Sequence, residues 1–214
     1  MSVLILRPNG TGSLGQQNRS SGSANYECVD EVTLDTSDKT SINTAVGITS
    51  IVTDLYYFQN HTDESDTINK ITLKAYLKSR EKGTATTFVN FVVKIGSTIY
   101  EGSTQRIDEH TTYKLFSQDF AVKPSDSSAW SWTDIDNIEA GDKLTANYID
   151  KNNESDIDKF QYWLEVTHGE TAGNVKMVKV GGVWKTITNT MIKVNGVWKN
   201  VTSNKILVSD VWKT

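Results

Sequence analysis

Apolar and polar residues alternate along several stretches of the chain with a period of two, the pattern of a β-strand that has one face in water. The clearest case is residues 71–78, in which every second residue is aliphatic. Residues 88–95 are more uniformly apolar, which predicts a central strand that is buried on both faces. Further strands are predicted at 3–6, 55–58, 98–100, 112–122, 144–148 and 160–166.

Three other segments carry local signals. Residues 9–23 are rich in Gly, Ser, Asn and Gln, which predicts a loop. Residues 25–29, which include the single cysteine Cys28, predict a short strand in which Cys28 is a small buried apolar residue. Residues 133–141 predict a helix of about two turns, with Thr133 as its N-cap and Gly141 at its end.

These elements predict an all-β protein. Roughly eight to ten strands, one short helix and no regular exchange of strands with helices indicate an antiparallel jelly-roll-like β-sandwich. We expect this β-sandwich domain to occupy residues 1–170, and three short β-hairpin repeats with tryptophan to occupy residues 171–214.

The C-terminal region contains an internal repeat. Trp184, Trp198 and Trp212 are spaced by 14 residues, each within the pattern Val-x-x-Val-Trp-Lys. The pairs Gly181-Gly182 and Asn195-Gly196 suit two-residue type I′ turns, so each copy predicts a hairpin.

A two-residue turn places particular residues opposite each other across the hairpin. A lysine that lies over an indole in this way contributes roughly 0.5–1 kcal/mol at an exposed site. Because a lone hairpin is marginal in water, we expect the repeats to dock onto the sandwich, another subunit or a larger assembly. The candidate docking residues are the predicted facing pairs Lys179 and Trp184, Lys193 and Trp198, and Leu207 and Trp212.

Composition and charge narrow the class of protein. Hydrophobic residues make up 37% of the chain, enough for a folded core. Residues 171–214 contain seven lysines and one acid, hence +6, which leaves −10 for the rest of a chain whose net charge is −4. The lysines alternate with apolar residues instead of clustering, so nucleic-acid binding is not expected. Neither a signal peptide nor an apolar run of about 18 residues is found, so no membrane insertion is expected.

Motifs of catalytic or metal sites are not found in the sequence. His61, His110 and His168 lie far apart, outside any metal-binding motif. Residues 150–158 alternate oxygen-bearing side chains like a calcium loop but lack its sixth-position glycine and closing glutamate, so calcium binding stays an alternative to a solvated loop. We expect no enzyme and no cofactor. The acids available to a glycosidase lie in polar segments, where solvated carboxylates are usual: Asp63, Glu64, Asp66, Asp150, Glu154, Asp156 and Asp158.

Short motifs lie at residues 6–12, 26–31, 71–75, 112–113, 129–135 and 139–141. Together these motifs resemble a β-sandwich family of tailed-bacteriophage, prophage and environmental viral proteins. The Val-x-Gly-Val-Trp-Lys repeats also look like those that end some phage tail and fibre proteins. The resemblance implies a virion protein and no shared catalytic residues. The resemblance runs over most of residues 3–168.

The sequence therefore predicts a virion structural protein, either a capsid decoration or a tail or fibre component, that acts by docking to other virion proteins. It is expected to be made in a host cytoplasm and to form a homo-oligomer. The alternative is a carbohydrate-binding or receptor-binding module for host attachment, in which Trp130 and Trp132 are the candidate ligand-facing residues. For these two indoles and for Trp163, packing in the core or at its rim is the favoured interpretation.

Overall fold

The computed structural model describes residues 1–43, 49–81, 86–107, 112–147 and 155–169, and six short strands between 177 and 213. The chain divides into two compact units, Met1–Glu170 and Thr171–Thr214. None of the helices in the described residues has the length and apolar character needed to cross a membrane.

The described part of the first unit forms twelve strands, one 3-10 turn and one short α-helix. The 3-10 turn spans Asn25–Cys28, and helix α1 spans Trp132–Asp136. The strands are β1 (Ser2–Leu6), β2 (Pro8–Gly15), β3 (Asn18–Arg19), β4 (Thr40–Asn43), β5 (Thr49–Phe58), β6 (Ile68–Glu81), β7 (Thr86–Ile95), β8 (Thr98–Glu101), β9 (Gln105–Ile107), β10 (Lys114–Phe120), β11 (Glu139–Asn147) and β12 (Ser155–His168).

These strands make two six-stranded antiparallel sheets. In the first sheet, β12 is flanked by β6 and then β10 on one side, while β1 and β4 share its other side and β3 lies beyond β4. The second sheet has the order β2-β5-β11-β7, with β8 and β9 sharing the free side of β7. The predicted antiparallel jelly-roll-like β-sandwich with one short helix is therefore confirmed.

The core lies between the sheets and is built from alternate residues of their strands. In β6, the side chains of Leu73, Ala75 and Leu77 are fully buried, as the alternation in the sequence predicts. In β7, the consecutive residues 91–93 are all fully buried. Strand β7 pairs with neighbours along both of its edges, which confirms the prediction of a central strand.

The loop predicted for residues 9–23 is wrong, because most of this segment forms β2 and β3. Strand β2 lies at the edge of the second sheet, where it pairs with β5 through an irregular register. Gly12 permits this pairing, since a Cβ atom there would lie 2.7 Å from the carbonyl oxygen of Leu55. Gly12 therefore serves close approach between two strands rather than a turn.

The strand predicted around Cys28 is also wrong. Residues Asn25–Cys28 form the 3-10 turn, because the Glu27 carboxylate accepts hydrogen bonds from the backbone N–H groups of Ser23 and Ala24. Such bonds from a side chain to its local backbone favour a turn over an extended strand. The predicted burial of Cys28 is confirmed, since this residue is fully buried.

The helix is found close to its predicted place but with different ends. Ser131, not Thr133, is the N-cap: its hydroxyl accepts from the Asp134 N–H, and the Asp134 carboxylate accepts from the Ser131 N–H. This reciprocal pair forms a capping box two residues earlier than predicted. Gly141 does not end the helix but lies within β11.

A network of buried polar side chains connects the two sheets. The ammonium group of Lys159, on β12, lies 2.7 Å from Oδ2 of Asp142, on β11, and both side chains are fully buried. Asp54, on β5, lies opposite Asp142 across the strand pair and is also fully buried. Its carboxylate accepts hydrogen bonds from the side chains of Asn25 and Tyr56, at 2.8 and 3.1 Å.

The second unit contains three two-stranded antiparallel sheets in its described residues: Met177–Val180 with Val183–Thr186, Met191–Val194 with Val197–Asn200, and Ile206–Val208 with Val211–Lys213. The facing pairs predicted from the sequence are confirmed, because these registers place Lys179 opposite Trp184, Lys193 opposite Trp198 and Leu207 opposite Trp212.

Gly141 provides a test of how closely β11 approaches β5. A Cβ atom at Gly141 would lie 1.8 Å from the carbonyl oxygen of Asp54, so the two strands would have to separate. We expect Gly141→Ala to lower the free energy of unfolding by at least about 1–3 kcal/mol, the usual cost of overpacking. Urea unfolding followed by tryptophan fluorescence measures this change.

The matched control is Gly10→Ala in β2, where the nearest atom to an added Cβ is 3.6 Å away, at ordinary contact distance. This variant should keep the wild-type stability. Equal unfolding free energies for the two variants would contradict the close approach of β11 to β5.

Candidate functional site

Aromatic side chains lie on the outer face of the first sheet, away from the core. In β12, Trp163 stands between the core residues Tyr162 and Leu164, so strand alternation places its side chain on the outer face. Tyr76 has the same position in β6 relative to the core residues of that strand. Phe160 is the residue at the register irregularity of β12.

Four rings follow one another across this face, and we call them the aromatic row: Phe160, Tyr113, Tyr76 and Trp163. The ring centroids of each neighbouring pair are 5.8 Å apart. The end members, Phe160 and Trp163, are 6% and 8% exposed, whereas Tyr113 is 40% exposed. The packed ends therefore hold the row in place, and Tyr113 offers a ring to solvent.

A first cavity of about 390 Å³ lies at the Phe160 end of the row. Its aromatic walls are Tyr113 and Phe160, and its polar groups include Lys39, Lys78 and Asp158. The ammonium group of Lys39 lies 2.8 Å from Oδ2 of Asp158 and 6.0 Å from the centroid of the Phe160 ring. This cavity thus combines ring surface with charged hydrogen-bonding groups.

A second, more open cavity of about 370 Å³ lies at the other end of the row, and its lining includes Tyr76, Trp163, Arg7, Gln161 and Glu165. The guanidinium carbon of Arg7 lies 5.2 Å from the centroid of the Trp163 ring, and the indole N–H of Trp163 donates to Glu165 at 3.0 Å. Both volumes fall in the range of about 300–1,000 Å³ that is usual for small-molecule sites.

The segment that contains Glu31 and Val32 borders the second cavity, and the Glu31 carboxyl has a shifted pKa. The side-chain amide of Gln161 donates to the backbone oxygen of Glu31, and Arg7 donates to the backbone oxygen of Val32. Burial raises the pKa of the Glu31 carboxyl to about 7, and the nearby charges of Asp38 and Asp30 act in the same direction.

The structure does not support Trp130 as a ligand-facing residue. Its side chain is 5% exposed, and its indole N–H donates to the backbone oxygen of Phe120 at 3.0 Å. Trp130 also borders a smaller cavity of about 250 Å³, but its ring belongs to the core cluster. The expectation of packing in the core is therefore the one that the structure supports.

Trp132 is half-buried, and two histidine rings pack against its indole ring. The His61 ring stacks on it at 4.9 Å between centroids, and the His168 ring meets it edge-on at 5.3 Å. Its indole N–H donates to the backbone oxygen of Asp66 at 2.8 Å. The fold thus brings together two histidines that are far apart in sequence, and His61 occupies one of the two indole faces to which a sugar could bind.

Three of the acids considered for glycoside hydrolysis bind different partners in different places. Asp66 lies 3.3 Å from the imidazole of His168, Glu64 accepts from the backbone N–H groups of Thr62 and Asp63, and Asp158 binds Lys39. Within the described residues, no group of three or more His, Cys, Asp or Glu side chains is placed to hold a metal ion. His110 and residues 150–154 lie outside the described residues.

Comparison with known proteins finds similarity in structure only. No protein-family model and no curated protein sequence matches the chain. A tailspike protein of bacteriophage CBA120 (its enzymatically active domain) has a TM-score of 0.40 at 14% identity over 76% of this chain, which covers 19% of that chain. A carbohydrate-binding module of Cellvibrio mixtus lichenase 5A has a TM-score of 0.36 at 9% identity and is covered completely, over 79% of this chain. A structure of infectious bursal disease virus has a TM-score of 0.33 at 10% identity, with coverage of 79% of this chain and 56% of that one.

The raised pKa of Glu31 predicts how the free energy of unfolding depends on pH. The folded state keeps the Glu31 proton up to a pH of about 7, whereas the unfolded state loses it near the ordinary value of 4.5. This proton stabilises the folded state fully when the pH is below the pKa that Glu31 has in the unfolded chain. The stabilisation is lost as the pH rises through the pKa that Glu31 has in the folded protein. We therefore expect this group to lower the free energy of unfolding between these two pH values, as measured by urea titrations at a series of pH values.

Glu31→Gln removes the titrating proton but keeps the shape of the side chain. This variant should show a smaller fall in stability over the same pH range. The interpretation would be wrong if wild type and variant followed parallel curves.

Proposed function

We propose that the chain is a non-enzymatic attachment protein whose β-sandwich binds a glycan along the aromatic row. The observation that carries this proposal is the row itself. The exposed ring of Tyr113 forms a wall of the first cavity, the second cavity lies at the other end of the row, and both are lined by aromatic and charged side chains. A site with an apolar floor and a few fixed polar groups is the usual arrangement for small-molecule recognition.

The chemistry of the row suits a sugar chain. A pyranose ring has an apolar face of C–H groups, which packs on an aromatic ring, and a rim of hydroxyls that needs hydrogen-bonding partners. In the first cavity, Tyr113 would supply the ring, while Lys78 and Asp158 would supply the donor and the acceptor. Because the end rings are packed, little side-chain entropy would be lost on binding.

A glycan array with the full chain, followed by calorimetry on any glycan that binds, tests the proposal. We expect Tyr113→Ala to weaken binding by about tenfold or more, since losing a ring contact costs roughly 1.5–3 kcal/mol. Tyr113→Phe keeps the ring and should keep most of the affinity.

The matched control is Tyr57→Ala on the other sheet, because Tyr57 is 43% exposed and Tyr113 is 40% exposed. This variant should bind like the wild type. The proposal would be rejected if no glycan bound, or if both alanine variants bound as strongly as the wild type.

We also propose that the C-terminal repeats dock the protein to further copies of itself and to other proteins of a virion. The observation that favours this second function is the shared register of the three hairpins, which places Trp184, Trp198 and Trp212 at the same position in each copy. One apolar aromatic position repeated in three successive hairpins would give each copy the same docking residue.

Sedimentation of the full chain tests the self-association part of this proposal. We expect an oligomer for the wild type and smaller species when Trp184, Trp198 and Trp212 are all changed to alanine. In the control, the residue that follows each tryptophan is changed to alanine instead, because successive residues of a strand lie on opposite faces. These residues are Lys185, Lys199 and Lys213. A monomeric wild type, or a control that dissociates equally, would contradict docking through the tryptophan positions.

A further inference from the structure

The buried lysine between the sheets is in a position to react. Nζ of Lys159 lies 2.7 Å from Oδ2 of Asp142, and both side chains have no exposed surface. The amine comes from one sheet and the carboxyl from the other, so the contact crosses the core. An amine and a carboxyl held together in this way are the two reactants of amide formation.

The surroundings of this pair are aromatic and fully enclosed. Nζ of Lys159 lies 4.8 Å from the centroid of the Tyr56 ring and 5.4 Å from that of the Tyr162 ring. Both tyrosines are fully buried. On the other side of the carboxyl, the side-chain amide of Gln17 donates to Oδ1 of Asp142 at 2.7 Å.

We propose that Lys159 and Asp142 form an intramolecular isopeptide bond, which joins β12 to β11 and thereby one sheet to the other. The site is separate from the aromatic row, and the bond is independent of what the row binds.

The reaction is a condensation that releases one water molecule. A proton first passes from Nζ of Lys159 to Oδ2 of Asp142, which gives a neutral amine and a neutral carboxylic acid. The nitrogen lone pair then attacks Cγ, and the charge that develops on Oδ1 is stabilised by the Gln17 amide. Oδ2 takes a second proton from the nitrogen and leaves as water, so that an amide remains and no oxidant or reductant is consumed.

Three features of the site favour this reaction. Burial disfavours charge, and it raises the pKa of the Asp142 carboxyl; Lys159 opposes this shift, and the charge of Asp54 reinforces it. The neutral reactants are thus more accessible here than in water. Two groups held at contact distance also react as if at very high concentration, with effective molarities of up to about 10⁵–10⁸ M. Finally, the site has no exposed surface, so solvent water does not reach the amide once the released water molecule has left. Hydrolysis of the amide is therefore disfavoured.

Gln17 contacts the reacting carboxyl directly, and Asp54 and Thr40 position Gln17. Asp54 accepts hydrogen bonds from the backbone N–H groups of Gln16 and Gln17, at 2.6 and 2.9 Å. These bonds fix the segment that carries the Gln17 amide against the Asp142 carboxyl. The hydroxyl of Thr40 donates to the Gln17 side-chain oxygen at 2.9 Å and orients the amide nitrogen toward Asp142.

Intact-mass measurement of the purified full chain tests the proposal directly. We expect a mass lower than that of the sequence by one water molecule, and a proteolytic fragment in which the peptides of Lys159 and Asp142 are joined. A mass equal to that of the sequence, with the two peptides recovered separately, overturns the proposal without any variant.

Two variants identify the bond. Lys159→Arg keeps a cation but removes the reactive amine, so the full sequence mass of the variant should be found. Asp142→Asn replaces the leaving group, so condensation should release ammonia in place of water, and the mass deficit should change accordingly. Loss of water that persists in Lys159→Arg would assign the modification to another residue and reject the proposal.

Discussion

Between the two sheets, one lysine and two aspartates have been removed from water, and much of the sandwich is arranged around them. Removing one partner of such a buried pair typically costs about 3–5 kcal/mol, because the other charge is left without compensation. Lys159, Asp142 and Asp54 belong to three different strands, β12, β11 and β5. Strand pairing places Asp54 opposite Asp142 within the second sheet, and packing of the two sheets must bring Lys159 of the first sheet to Asp142. This requirement gives the network more influence over specificity than an apolar contact of equal size has.

Strands β6 and β12 of the first sheet contribute side chains both to the core and to the outer face. Successive residues of a strand point to opposite sides, so β12 directs Tyr162 into the core and Trp163 outward, and β6 directs Ala75 inward and Tyr76 outward. Rigidity of the core is thereby transmitted to the aromatic row without any further element. A binding face built on sheet strands in this way is better preorganised than one built on loops.

Much of the fold could be predicted from local pattern. Strand alternation predicts β6, and a uniformly apolar run predicts the central strand β7. The 14-residue repeat with its turn residues predicts the register of the hairpins, including Leu207 opposite Trp212. The errors came where a local signal has two physical uses. Glycine serves both a turn and a close approach between strands, which is why the composition of residues 9–23 predicts a loop although Gly12 lies in β2. Ser131 and Thr133 can both cap a helix, and the partner carboxylate of Asp134 decided between them.

The sequence by itself determined the class of secondary structure, the antiparallel β-sandwich and the hairpin repeat, because these depend on residues that are close together in the chain. It could not identify the aromatic row, whose four members come from three separate segments of the chain and look individually like core residues: Phe160, Tyr113, Tyr76 and Trp163. It also could not pair Lys159 with Asp142 or bring His61 to His168. Only the tertiary structure decided these contacts, because they depend on which strands become neighbours and on which face of each strand is turned toward the core.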